Sequence, residues 1–238
     1  MKTVLITGAS RGIGAATAME FSKNGWHTVI NYNKSKQEAV ALADFIGGTA
    51  VCCDVSNSLS VEKMYSILAD SGIHIDCIVN NAGISQDRLF TDITETDWDN
   101  MFNVNVKGAF LVTKKFLPDM ISKKCGSIIN ISSIWGETGA AMEVHYSASK
   151  AAVIGMTKAL AKELAPSGIR VNCVCPGYVD TDMNSGYTQA ERAQIIDEIP
   201  LLRTASPCEI AKTIVFLASD NSSYITGQII GVYGGWHI

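Results

Sequence analysis

The chain has 238 residues, 47% hydrophobic and 18% charged, with 19 Lys+Arg against 23 Asp+Glu and a net charge of −4. That supplies a sizeable core, and with no basic run longer than pairs such as Lys123-Lys124 it argues against nucleic-acid and anionic-membrane partners. No segment approaches the about 20 apolar residues of a membrane span, and the opening apolar run is too short for a signal peptide.

Residues 2–7 form a β-rich run, followed by Gly8-Ala9-Ser10-Arg11-Gly12-Ile13-Gly14. A helical pattern over 13–23 stops at Asn24-Gly25. Residues 28–32 read as a second strand. Ser35 and Glu38 have capping-box spacing and open a helix that Gly47-Gly48 ends. A third strand spans 49–53 and stops at Asp54; a helix over 58–69 leads to a strand at 75–80. Thr94-Glu-Thr-Asp97 starts one long helix reaching about 122, with Pro118 near its end. A strand at 127–131 precedes a loop from 132 to about 143, then a helix to 164 closed by Pro166. The sixth strand is 170–174. The polar stretch 176–200 carries a short helix near 189–198. Ser206-Pro-Cys-Glu209 opens a helix ending near 218, and 228–232 is the last strand. Strands alternating with helices predict a doubly wound parallel α/β sheet of about seven strands, Rossmann-like, covered on both faces. Without a break in composition, residues 1–238 read as a single domain.

Seven cysteines, at 52, 53, 77, 125, 173, 175 and 208, form no Cys-x-x-Cys pair and have no histidine at ligand spacing. Neither a disulfide framework nor a metal site is supported, and a reducing, cytoplasmic setting fits best.

Two stretches carry chemistry. The first is Gly8-x-x-x-Gly12-x-Gly14, between the first strand and first helix, where a tight turn and a helix N-terminus can take a pyrophosphate. The second strand ends in Asn31-Tyr-Asn33-Lys34 without the acid that NAD binding wants at the ribose. Arg11 in the loop offers a guanidinium to a 2′-phosphate, so the reading favours NADP(H). The second stretch is Tyr146-Ser-Ala-Ser-Lys150. Residues four apart share a helix face, and an ammonium near a phenol favours the phenolate. The same spacing also suits an amphipathic surface.

With Thr7-Gly-Ala-Ser-Arg-Gly-Ile-Gly14, Asn80-Asn-Ala-Gly83 and Tyr146-x-x-x-Lys150 in order, the chain resembles the short-chain dehydrogenase/reductase family along essentially its whole length. The resemblance implies a catalytic tetrad of Asn105, Ser133, Tyr146 and Lys150. It implies a cofactor site that begins at Gly8, Ser10, Arg11, Gly12, Ile13 and Gly14 and continues through Asn31 and Asn33. Asp54 and Val55 follow at the adenine, then the turn of Asn81, Ala82 and Gly83. Pro176, Gly177, Val179 and Thr181 complete it beside the nicotinamide, with Tyr146 and Lys150 at the ribose. Ketone reduction is the implied reaction: Tyr146 protonates the alkoxide, Ser133 hydrogen-bonds it, and Asn105 positions a water linking Lys150 to solvent. Homotetramers are the implied assembly, and 177–200 the substrate lid.

Within the family the chain looks most like bacterial 3-oxoacyl-[acyl-carrier-protein] reductases, with Lys124 retaining one carrier-docking base and Ser167 replacing another. It also resembles reductases of a 5-aminopentanone group on elongation factor P, through Ser132-Ser-Ile-Trp135-Gly136 and Glu143. There Glu137 or Glu143 would face an amine, although a solvated loop charge explains either. His145, Met142, Trp135 and Tyr187 are candidate pocket walls. The different-class alternative is a non-catalytic NADP-binding sensor, which needs the glycine loop but no proton donor.

Overall fold

The computed structural model describes residues 1–184 and 186–237; Ser185, inside the expected lid, and Ile238 lie outside the described residues. Seven parallel strands form one sheet in the order β3-β2-β1-β4-β5-β6-β7. They are β1 (Thr3–Ile6), β2 (His27–Tyr32), β3 (Thr49–Cys52), β4 (Cys77–Asn80), β5 (Gly126–Ile131), β6 (Ile169–Pro176) and β7 (Ile229–Val232). Leu5 pairs with Val29 on one side and Ile78 on the other, which sets β1 at the centre of the crossover pattern.

Side-chain alternation along β1 shows why both faces must be covered. Val4 and Ile6 enter one core, with Phe21 of α1 (Gly12–Lys23), Ala43 of α2 (Lys36–Ile46) and the Ile210–Ile214 stripe of α9 (Pro207–Ala218). Leu5 enters the other, with Met64 of α3 (Ser58–Asp70), Phe116 of α5 (Gly108–Lys123) and Leu164 of α7 (Val144–Leu164). Each buried Val, Leu, Ile, Met or Phe side chain among these contributes about 1.5–3 kcal/mol. The remaining helices are α4 (Glu95–Phe102), α6 (Trp135–Thr138) and α8 (Gln189–Glu198). No described helix is long and apolar enough to cross a membrane.

Three local expectations change. The helix expected from 94 to 122 is α4 and α5 joined by a π-helical turn, Asn103–Lys107. The loop expected over 132–143 contains α6. Ser35 makes no side-chain cap: its ψ is 68°, against 160° and 163° at Thr94 and Thr188, where full capping boxes form. The chain leaves β2 through a tight turn, Lys36 N–H to Lys34 C=O at 3.0 Å, which denies Ser35 the extended backbone a cap needs.

Candidate active site

The strand order reverses on either side of β1, so a crevice opens at the carboxyl ends of β1 and β4, where ligands bind in such sheets. The glycine loop fills its floor. Gly8 stands at φ +61°, and a Cβ there would lie 2.9 Å from Ala82 Cα. Gly14 is tighter still: its Cβ would come within 2.6 Å of the Gly8 carbonyl. No side chain caps α1, so its first-turn N–H groups stay open to an anion. The turn after β4 is braced to this loop. Asn81 Nδ2 donates to Thr7 O (2.9 Å) and Gly8 O (3.1 Å), while Thr7 Oγ1 accepts from the N–H groups of Asn81 and Ala82.

Ser10, Ile13 and Gly83 are half-buried around the crevice, and Arg11 and Asn33 are exposed at its rim. Arg11 makes no ion pair among the described residues. Asn31 lies beneath the loop rather than on it. It is buried, with Oδ1 accepting from Gly8 N–H at 3.2 Å and Nδ2 donating to Cys53 O at 3.0 Å. It braces the loop from below. Asp54 accepts from the N–H and hydroxyl of Ser56 (2.9 and 2.7 Å), and Val55 packs against Gly108. Across the crevice, Gly12 faces Thr181, whose Cγ2 lies 3.5 Å from where a Cβ on Gly12 would be. Pro176 O accepts from Ile134 N–H, Gly177 leaves no room for a side chain beside Tyr233, and Val179 is buried.

The proton-transfer candidates meet at the ends of β5 and α7. Ser133, Tyr146 and Lys150 are each more than nine-tenths buried. Lys150 Nζ donates to Ile131 O at 2.9 Å and stands 5.6 Å from the centre of the Tyr146 ring. Burial pushes the Tyr146 phenol well above its ordinary range, the adjacent Ser133 hydroxyl opposing and the Glu143 charge adding to the rise. Burial also pushes Lys150 down, to about 8. Desolvation is the largest cause at Tyr146, and it keeps the proton on the phenol instead of favouring the phenolate.

Asn105 is 3% exposed inside the π-helical turn. Its Oδ1 accepts from Ile84 N–H (2.8 Å), and its Nδ2 lies 3.0 Å from both Ile84 O and Ser149 Oγ. A Cβ on Gly83 would touch both Asn105 Oδ1 (3.3 Å) and Lys150 Nζ (3.4 Å), which brings the two groups together beside that glycine. Two serines that the sequence motifs contain but give no role complete the frame. Ser149 Oγ donates to Tyr146 O (2.7 Å), and Ser132 Oγ donates to Lys150 O (2.8 Å). Ser149 lies three residues beyond Tyr146, the helical spacing at which a serine can bond back to a carbonyl.

The two loop glutamates separate. Glu137 is exposed, whereas Glu143 is half-buried and accepts from Ser85 Oγ at 2.6 Å. Burial pushes the Glu143 carboxyl up, Ser85 opposes, and nearby Asp87 adds to the rise. His145 turns away, buried with Nε2 3.3 Å from Gln86 Oε1. Met142 is exposed. Trp135 stacks edge-on with Trp236, and Tyr187 does so with Tyr178 at the base of the segment expected as a lid, where Asp180 and Arg192 pair at 2.6 Å.

A family profile described as Enoyl-(Acyl carrier protein) reductase matches residues 8–237. An uncharacterized oxidoreductase, YmfI of Bacillus subtilis, is 44% identical over 242 residues, spanning 99% of both chains. The 3-oxoacyl-[acyl-carrier-protein] reductase FabG of Thermotoga maritima is 44% identical over 239 residues, 98% of this chain and 97% of its own. The crystal structure of a 3-oxoacyl-[acyl-carrier protein] reductase from Brucella melitensis superposes with a TM-score of 0.93 at 34% identity, over 100% of this chain and 92% of its own.

Proposed function

The chain belongs to the short-chain dehydrogenase/reductase family, and on that premise we propose that residues 1–238 form one NADP(H)-dependent domain reducing a ketone to a secondary alcohol. The observation that carries the reading is the buried Ser133–Tyr146–Lys150 group beside an uncapped helix N-terminus and its glycine cradle.

The glycine loop and the first turn of α1 would hold the pyrophosphate, and Arg11 the 2′-phosphate. The absence of an acid at the end of β2 supports NADP(H) over NAD(H). When bound, the nicotinamide supplies the hydride. Tyr146, neutral in its buried setting, gives its proton to the oxygen where negative charge develops, and Ser133 donates a hydrogen bond to the same atom. Lys150 holds the ribose hydroxyls and favours the phenolate that remains after transfer. Asn105, beside the same glycine as Lys150, positions a water through which Lys150 is reprotonated from solvent.

Relatives named 3-oxoacyl-[acyl-carrier-protein] reductase support a carrier-attached 3-oxoacyl thioester as substrate. A second reading, reduction of the 5-aminopentanone modification on elongation factor P, draws support from Glu143. A half-buried carboxylate three residues before Tyr146, with Asp87 beside it, suits an ammonium group better than an acyl chain. NADPH oxidation measured with acetoacetyl-CoA and with 5-aminopentanone-modified elongation factor P decides between them. Under the second reading Glu143→Gln raises KM for the amine substrate alone. Oxidation with no ketone, alongside tight NADPH binding, would leave the sensor alternative. A cytoplasmic location and a homotetrameric assembly complete the proposal.

A further inference from the structure

The C-terminal strap ends against the site without having a role in the chemistry above. After β7 the chain turns on Gly234 and Gly235, at φ +66° and +86°. Glycine suits that backbone region, and space requires it as well. A Cβ on Gly234 would stand 2.8 Å from Ile199 Cγ2, and one on Gly235 3.1 Å from Pro200 Cγ. Gly234 O accepts from Leu201 N–H at 3.2 Å, which pins the strap to the segment after α8.

This turn delivers Trp236 between two functional segments. Its Nε1–H donates to Glu198, the last residue of α8, at 3.2 Å. Its ring meets Trp135 edge to face, with centroids 5.0 Å apart and planes at 67°. Trp135 opens α6, and its own N–H donates to Ser133 Oγ at 3.2 Å. A four-residue helix is too short to hold itself by its own hydrogen bonds. Its orientation depends on what it packs against: Gly136 against the Lys150 backbone on one side, and Trp135 against Trp236 on the other.

We infer that Trp236 is a positioning residue for the reaction. By clamping Trp135 it fixes the N–H that orients the Ser133 hydroxyl, and by bonding Glu198 it ties that orientation to the foot of the lid. The inference rests on Ser133 acting on the substrate oxygen, as proposed above.

Four proteins test it: the wild type, Trp236→Ala, Trp236→Phe and Ser133→Ala. Each is assayed for NADPH-dependent reduction of acetoacetyl-CoA, for NADPH affinity and for amide hydrogen exchange. Trp236→Ala should speed exchange over residues 133–139 and lower kcat about tenfold, a cost in line with small misplacements of a catalytic group. NADPH affinity should hold, because the cofactor cradle lies elsewhere. Trp236→Phe keeps a ring against Trp135 but loses the Glu198 bond, and should recover most of kcat. Unchanged exchange over 133–139 in Trp236→Ala overturns the inference, whatever the wild type does with this ketone. Ser133→Ala with wild-type kcat removes the assignment of Ser133, and the inference with it. An inactive Ser133→Ala beside a fully active Trp236→Ala sinks the strap's role alone.

Discussion

At the scale of single residues, the site sets a proton donor and a cation in the same buried space. Tyr146→Phe removes only the donor oxygen, so turnover should vanish while NADPH affinity, read by fluorescence titration, stays near wild type. Lys150 titrates near 8 because its ammonium is desolvated. Raising pH through that value converts it to a neutral amine, so NADPH affinity of the free protein should weaken above about pH 8. Lys150→Met should flatten that dependence. Arg11→Ala should weaken NADPH binding at least tenfold, or about 1.4 kcal/mol, and leave NADH binding unchanged. An equal effect on both cofactors would remove Arg11 from the 2′-phosphate. Tyr146 and Lys150 were legible as a pair because residues four apart share a helix face, but an amphipathic surface has the same spacing. Their chemistry was legible only through the family resemblance. The roles of Ser132 and Ser149 were not legible. A small hydroxyl on a helix or strand end looks the same whether it faces water or bonds a neighbour's carbonyl, and only packing decides.

At the scale of elements, the π-helical turn is the feature that local sequence rules missed. Asn103-Val-Asn105-Val-Lys107 has ordinary helical character, and a wider turn there follows from tertiary contacts. Asn105 satisfies both the N–H and C=O of Ile84, and Gly108 lets α5 close on Val55. Asn105→Leu would strip the Ile84 N–H and C=O of their protein partners at the edge of solvent, and each lost hydrogen bond costs about 0.5–1.5 kcal/mol. It should lower both Tm and kcat. A variant of wild-type stability would show that the turn does not depend on this side chain. Capping boxes illustrate the same limit from the other direction. Thr94 and Thr188 form theirs, and Ser35 with identical spacing does not, because the exit from β2 sets its backbone.

At the scale of the molecule, the parallel sheet was readable because buried strands leave near-continuous apolar runs, and β1 feeds both cores by alternation alone. Assembly is less legible in the sequence, since a helix that meets another subunit and one that meets solvent differ by only a few side chains. Trp98, Phe110 and Ile121 on α4 and α5 are more than one-third exposed, which leaves apolar surface for the proposed assembly, and a tetramer mass is the expected outcome of sedimentation analysis. A monomer at micromolar concentration would count against it. The proposed activity is NADPH-dependent ketone reduction through Tyr146. The most direct measurement is NADPH oxidation over acetoacetyl-CoA and 5-aminopentanone-modified elongation factor P, by the wild type and by Tyr146→Phe. The prediction is stoichiometric oxidation with at least one of the two ketones and none in the variant. Equal rates in the two proteins would contradict it.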